Sequence, residues 1–420
     1  MNYQEALAYI HSLDRFGSRP GLDRVQKLFD RAPGILNQRF IHIAGTNGKG
    51  SVSMMLSYIL REAGYKVGLF ISPYIVDFRE RIQINNEMIS EDQLAEAVSF
   101  FAPIMSEMRA EGVIITEFEL LTAVGFRIFQ QNACDVVVCE VGMGGLLDST
   151  NLIPSPLCSV ITRIALDHTE ILGDTLEKIA VQKCGIIKRG CVTASAPQED
   201  AAMRVIRSTA DAMENPLFLS ENIEISGVCS DLSGTTFCYR GEEMRLSLIG
   251  RHQIENLRCV LAAAEALNEE HHLNLRTDAI RAGLLKVKHP ARFERLRVNP
   301  TVILDGAHNP NGLNAFAQAV QEFAPAGDRT LIIGMLADKD SSGLNALKGL
   351  FSRTIVTNVS NPRALRADLL AERVALICDR VEVVPVPRDA YEKALRYGGD
   401  VYICGSLYLA SEIRPYILAS

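Results

Sequence analysis

Short apolar runs alternate with segments of helical period along most of the chain, the pattern of α/β architecture with parallel sheets. The first strand is expected at Phe40 to Ala44, followed by a glycine-rich turn and a helical pattern from Ser51 to about Glu62. Lys66 to Ile71, Asp135 to Val141 and Ser159 to Ile164 read as further strands. The run DVVVCEV is continuously apolar until its acid, as in a strand buried on both faces. Between about Ile223 and Leu248 the period shortens to alternating runs broken by Ser-Gly and Arg-Gly, which predicts antiparallel hairpins in a small β subdomain or sheet extension. A second α/β alternation begins near Thr301, with strands VILD (302–305), TLIIGM (330–335), TIVTNV (354–359), VEVVPV (381–386) and VYICG (401–405), each with a helix after it. The segment KHPARFERLRVNP (288–300), with two prolines and several charges, reads as the linker. Two domains, 1–290 and 291–420, are therefore expected.

Composition adds exclusions. At 420 residues the chain is too long for one ordinary core. A hydrophobic fraction of 48% with 22% charged residues rules out disorder as the dominant state. The net charge of -7 argues against a nucleic-acid partner. No apolar stretch reaches the roughly 18 residues of a membrane span, so no membrane partner is expected. The start, MNYQEALAYIHSLDRF, carries acids among its apolar positions and reads as an amphipathic helix, not a secretion signal. Ten cysteines lie without any C-x-x-C pair, several of them inside apolar strands, which fits a reduced, cytoplasmic protein.

The densest chemistry is at 41–51, IHIAGTNGKGS. A strand, a glycine-rich loop and a helix start present backbone N–H groups and a favourable dipole to an anion. Thr46, Asn47, Gly48, Lys49, Gly50 and Ser51 are candidate nucleotide-binding residues, with Lys49 reaching β- and γ-phosphates and Ser51 ligating Mg²⁺. Gly50 separates Lys49 from Ser51, so the match to G-x-x-x-x-G-K-[ST] is not strict. Glu140, at the end of a buried strand, is a candidate metal ligand. The following GMGG fits G-x-G, but Leu147 stands at the third glycine's place and LLDSTNLIP is a poor helix start, so a Rossmann dehydrogenase is rejected. Lys183 lies in an apolar helical context (IAVQKCGII), where a charged amine is unfavourable. Lys188 reads as surface.

GTNGKGS resembles the nucleotide loop of the Mur ligase superfamily, and within it the folylpolyglutamate synthase/dihydrofolate synthase family. SPYIVDFRERIQIN (72–85), TEFE (116–119), EVGMGGLLDSTN (140–151), LDHTEILGDTLEKIA (166–180), KCGIIK (183–188), GRHQIEN (250–256), DGAHNP (305–310) and GSLYL (405–409) resemble the family's further landmarks in the same order. The resemblance implies an N-terminal P-loop Mur-ligase-type ATP domain with a mostly parallel sheet and a C-terminal Rossmann-like α/β domain. It implies an ATP-dependent ligase that adds L-glutamate to tetrahydrofolate, and possible action on dihydropteroate, through an acyl phosphate. It further implies that Ser72 ligates a first metal with the phosphates, that Glu140 and His168 hold a second Mg²⁺, and that Lys183 carries a carbamate that binds metal. Asn256 and Arg292 are implied as ATP contacts, Asp305 as facing the nucleotide, and His308 as lying near the amino acid. Arg19 to Arg24 resembles the folate-side loop, and Thr116, Glu117, Phe118 and Glu119 the pterin-contacting motif; TEFE departs from TFFE, which leaves dihydropteroate open as a substrate. Asp338 to Asp340, Ser406 and Tyr408 are weaker candidates. Ligands on both domains imply closure over the substrates, and the superfamily implies a monomer.

Two rival readings remain at this level. A Mur ligase acting on a UDP-linked cell-wall precursor would carry a domain ahead of the loop, whereas 44 residues precede Gly45. Against a slow regulatory ATPase stand the acidic and basic metal-site groups and the DGAHNP domain.

Overall fold

The computed structural model describes residues 1–13, 21–323 and 327–420. These form two compact units, one of Met1–Tyr74, Phe78–Glu224 and Glu255–Lys286, the other of Ile75–Asp77, Ile225–Ile254 and Val287–Ser420.

The first unit opens with helices α1 (Tyr3–His11) and α2 (Asp23–Asp30). Its strands are β1 (Phe40–Ala44), β2 (Val67–Phe70), β3 (Ile82–Ile84), β4 (Glu87–Met88), β5 (Val136–Glu140), β6 (Cys158–Ile161), β7 (Val192–Ser195) and β8 (Leu217–Leu219). Between them run α3 (Lys49–Glu62), α4 (Glu91–Ala110), α5 (Glu117–Gln131), the single turn α6 (Thr169–Leu172), α7 (Leu176–Cys184) and α8 (Asp200–Ala212), and α9 (Arg251–His271) and α10 (Thr277–Lys286) follow. Among the described residues the sheet order is β4-β3-β2-β5-β1-β6-β7-β8. All pairings are parallel except those of β3 with β2 and β4. Every residue of β1, β2, β5 and β6 is buried, the reason these strands read as unbroken apolar runs. With β1 between β5 and β6, the carboxyl ends of these three strands share one edge, where open α/β sheets bind ligands.

The second unit holds two sheets. Strands β9 (Ser226–Asp231), β10 (Gly234–Tyr239) and β11 (Glu242–Leu246) form an antiparallel meander, as the short alternation predicts. The sequence placed this meander within residues 1–290; in the structure it groups with the C-terminal segment. Leu232 and Ile249 from its ends pack into the cluster around Phe293 and Phe316. The second sheet, β12 (Glu294–Val298), β13 (Thr301–Leu304), β14 (Arg329–Ile333), β15 (Arg353–Val356), β16 (Val381–Val383) and β17 (Asp400–Cys404), runs in the order β12-β13-β17-β14-β15-β16. The five strands expected from Thr301 onward are all there. Part of the segment read as a linker is instead strand β12, an antiparallel edge joined to β13 by a tight turn at Asn299 and Pro300. Helices α11 (Pro310–Phe323), α12 (Ala367–Val374), α13 (Pro387–Tyr397) and α14 (Leu407–Ala419) follow their strands. After β14 the expected helix is a 3₁₀ segment, Ser341–Leu347. All ten cysteines are free thiols, and six of them are buried. Among the described residues no helix is long and apolar enough to cross a membrane.

Candidate active site

The loop after β1 is built by close approach. Gly45 (φ +155°) has the Thr162 hydroxyl where a side chain would begin, and Gly48 (φ +91°) has Asn256 Oδ1 there, so neither position accepts a Cβ. The backbone N–H groups of Thr46 and Asn47 both donate to the Arg163 carbonyl, at 2.9 and 3.2 Å. The Thr46 hydroxyl donates to Ala165 O and accepts from Ala165 N, both at 3.0 Å. Thr46 and Asn47 thus anchor the loop through these groups, and the residues that follow Gly48 are Lys49, Gly50 and Ser51. They form the first turn of α3, the end of a helix towards which the dipole favours an anion. Ser51 is buried in that turn. Lys49 Nζ folds back to donate to Gly45 O at 3.2 Å.

Lys183 meets the same carbonyl. Its Nζ donates to Gly45 O at 2.8 Å from the last turn of α7, and the side chain is only 4% exposed. Burial lowers its pKa to about 7; the neighbouring Lys49 charge adds to this, and Asp167 and Asp148 oppose it. A substantial share of the amine is thus unprotonated near neutral pH, the form that can react with CO₂. Glu140, buried at the end of β5, accepts from the Ser72 backbone N–H at 3.3 Å. The glycine loop after Glu140 lies on α7, with Leu146 N–H donating to Gln182 O at 2.6 Å, and Asn151 Nδ2 donating to the Leu146 and Gly185 carbonyls. Gly145 there faces the Gln182 carbonyl at 2.7 Å from any added Cβ. His168 has a left-handed backbone (φ +49°), heads α6 and keeps a half-exposed ring 3.9 Å from Asp167.

Sequence reasoning gave no role to two buried groups behind this loop. Asp148 accepts from Met143 N–H at 2.9 Å and from both the N–H and the hydroxyl of Thr150. Burial raises its pKa and these bonds oppose the rise. Its Asp-Ser-Thr context, typical of a cap, was the available signal. His42 in β1 lies 2.9 Å from the Thr150 hydroxyl, and burial, aided by the Lys188 charge, lowers its pKa to about 3, so it is neutral. A polar residue inside an otherwise apolar strand marked it. Lys188, expected at the surface, is half-buried and donates to Asn151 O at 3.2 Å, and desolvation lowers its pKa.

The donor set can be tested against Mg²⁺. Among the described residues no three His, Cys, Asp or Glu side chains cluster as a protein cage for a metal would need. Mg²⁺ is commonly held by one or two carboxylates together with substrate phosphates. The Glu140 carboxylate and the Ser51 hydroxyl, on strand and helix ends beside the loop, fit that pattern. The unmodified Lys183 amine does not; a carbamate on it does.

The TEFE motif divides. Thr116 caps α5, its hydroxyl accepting from Glu119 N–H at 3.3 Å, while Glu119 returns a bond from Thr116 N–H at 2.8 Å. Glu119 also pairs with Arg24 at 2.9 Å. Phe118 lies against the Gly142 backbone, with a Cζ 2.5 Å from where a Cβ would stand. Glu117 comes within 4.0 Å of His11. Arg19 and Pro20 of the expected folate-side segment lie outside the described residues.

In the second unit, Asp305 at the end of β13 accepts from Phe293 N–H at 2.6 Å and Ala307 N–H at 2.7 Å. Burial raises its pKa against the pull of Arg292. The Arg292 guanidinium donates to Ala291 O at 3.1 Å and lies against Gly306. His308 Nδ1 is 2.8 Å from Gly306 O, so that nitrogen is the donor. Asp305 therefore first builds the turn that presents Arg292 and His308. Asp338 pairs with Arg363 at the surface, and Asp340 and Ser406 cap local turns.

Two family profiles match the chain: the Mur ligase middle domain over residues 43–264 and the Mur ligase glutamate ligase domain over residues 291–407. Fold and loop thus define a Mur-type ligase. Folylpolyglutamate synthase of Lacticaseibacillus casei is 35% identical over 435 aligned residues, covering 100% of this chain and 99% of that protein. Dihydrofolate synthase/folylpolyglutamate synthase of Bacillus subtilis is also 35% identical, covering 98% of each. Mycobacterium tuberculosis folylpolyglutamate synthase, solved with ADP and AMPPCP, superposes with a TM-score of 0.91 at 31% identity over 99% of both chains. The chain belongs to the folylpolyglutamate synthase/dihydrofolate synthase family.

Proposed function

We propose that the chain is an ATP-dependent carboxylate–amine ligase that joins L-glutamate to a reduced folate. The observation that carries this reading is Gly45 O, which receives both Lys49 and Lys183 at a nucleotide-type loop beside the buried Glu140 carboxylate. A solved complex of a relative with AMPPCP and folate, at a TM-score of 0.84 and 31% identity over 100% of both chains, supports the choice of substrates.

A folate carboxylate oxygen attacks the γ-phosphorus, the bond to ADP breaks, and an acyl phosphate forms. The glutamate amine then attacks the acyl carbon and phosphate departs with the carboxylate oxygen. The amides of Lys49, Gly50 and Ser51 and the Lys49 ammonium bind the phosphates, so the chain acts mainly by positioning and charge neutralisation. Thr46, Asn47, Gly48 and Asn256 hold the loop and nucleotide in register, with Arg292, Asp305 and His308 serving nucleotide and glutamate from residues 291–420. Phe118, with Thr116, Glu117 and Glu119 around it, is the pterin-side candidate. Mg²⁺, when bound, offsets the phosphate charge; Ser51, Ser72, Glu140, His168 and carbamylated Lys183 are the residues that would hold it. The unprotonated Lys183 nitrogen forms its bond to the CO₂ carbon and releases one proton, turning a neutral amine into an anion. We take the enzyme to work as a cytoplasmic monomer, with residues 1–290 the ATP domain and 291–420 the glutamate-ligase domain.

Phosphate release from ATP and Mg²⁺, with tetrahydrofolate and dihydropteroate compared as acceptors, is the test. Turnover requiring both L-glutamate and tetrahydrofolate is expected. Turnover with dihydropteroate too makes the enzyme bifunctional, and ATP hydrolysis indifferent to both acceptors and to glutamate sinks the reading.

A further inference from the structure

Strand β7 stops pairing with β6 just before the level at which β6 meets the nucleotide loop. The last backbone bond runs from Ala196 N–H to Ile161 O at 2.9 Å. The next residue is Pro197, which has no N–H to donate. A side chain takes over there: the Gln198 carboxamide accepts from Ile164 N–H at 2.9 Å and donates to Thr162 O at 3.0 Å. One donor and one acceptor reaching residues two apart is the pattern by which a residue of a parallel strand bonds its neighbour. Gln198 therefore adds one rung to the sheet.

The residue between these two anchors is Arg163, whose carbonyl receives both Thr46 N–H and Asn47 N–H. Two residues further, Ala165 exchanges two bonds with the Thr46 hydroxyl. Thr162 itself is 1% exposed, and its hydroxyl sits at the position a Gly45 side chain would take, with no hydrogen-bond partner. The stretch 162–165 is thus the back wall of the loop, pinned by backbone bonds on the β1 side and by a single carboxamide on the other. Gln198 touches none of the reacting groups.

We propose that Gln198 is a positioning residue for the nucleotide: by completing the sheet at Thr162 and Ile164 it fixes the wall against which Gly45, Thr46 and Asn47 are set. The proposal rests on the reading of this loop as the ATP site.

The test is the affinity of the full-length protein for a non-hydrolysable ATP analogue, with the glutamate KM and thermal midpoint measured alongside. Loss of two hydrogen bonds, each worth about 1 kcal/mol, predicts that Gln198→Ala weakens analogue binding by up to about thirtyfold. Gln198→Glu keeps the acceptor for Ile164 and loses the donor to Thr162, and falls between parent and Gln198→Ala. Gln198 is half-buried, so the glutamate KM stays within about twofold and the midpoint within about 3 °C. Analogue binding by Gln198→Ala within about twofold of the parent overturns the proposal. So does a weakening matched by an equal rise in glutamate KM and a collapsed midpoint in Gln198→Ala and Gln198→Glu alike, which marks a merely structural residue. Failure of the unsubstituted protein to bind the analogue would fall on the ATP reading itself.

Discussion

The loops GTNGKGS and DGAHNP both follow the carboxyl end of a buried parallel strand and both lead into a helix, yet they handle charge in opposite ways. In the first, backbone groups do the building: Arg163 and Ala165 hold Thr46 and Asn47, which leaves Lys49 and Lys183 directed at one carbonyl. In the second, a charged side chain does the building, for both Asp305 oxygens are engaged by the backbone N–H groups of Phe293 and Ala307. Arg292 and His308 are the side chains that this turn carries. An acid in a motif is thus a reactive group or a structural one according to what its oxygens bond.

The widest separation between the loops comes from removing a reactive charge in the first. Lys183→Ala should lower turnover by about a thousandfold, the scale of losing a preorganised electrostatic group. Phosphate release with saturating glutamate and folate measures this, and a drop below about tenfold would remove Lys183 from the chemistry.

Removing the structural acid should instead register in stability. Asp305→Asn turns one acceptor into a donor facing a backbone N–H, and about 2 kcal/mol of stability should be lost. Denaturant titration reads it; an unchanged midpoint together with lost activity would make Asp305 a reactive group after all.

Gly48→Ala probes the loop backbone. Its positive φ and the adjacent Asn256 side chain leave no room for a methyl group, and a strain of about 1–3 kcal/mol should appear as weakened ATP binding. Unaltered affinity would show that the loop relaxes on binding nucleotide.

The smallest effect is a pH dependence. With its folded pKa lowered to about 7, the protonated Lys183 amine disfavours the folded state below that pH. The penalty is relieved as pH rises towards the pKa of the unfolded chain, where the amine is neutral in both states. Lys183→Met should therefore gain its largest stability over the parent below about pH 7 and lose that advantage progressively between about pH 7 and pH 10.5, in buffer stripped of CO₂. A stability difference independent of pH would contradict the buried neutral amine.

How much of this was legible in the sequence follows the range of each interaction. Strands β1, β5 and β13 were readable because burial on both faces writes itself as an unbroken apolar run. Lys183 was readable because a lysine in that setting conflicts with its neighbours. Lys188 was misread because its half-burial depends on the Asn151 carbonyl, far away in the chain. Gln198 was invisible for a similar reason: its partners follow a neighbouring strand more than 30 residues back in the chain, and no periodicity records a side chain that stands in for backbone. Thr116 and Glu119 carried a signal for two roles, since a capping box and a substrate motif share the same letters.

The central claim, ligation through an acyl phosphate, is tested most directly by following an oxygen atom. Tetrahydrofolate labelled with heavy oxygen in the carboxylate that accepts glutamate is turned over with ATP and L-glutamate, and the released phosphate is analysed by mass. The account predicts one heavy oxygen per phosphate, in step with formation of the glutamylated folate. Unlabelled phosphate accompanying that product would contradict it.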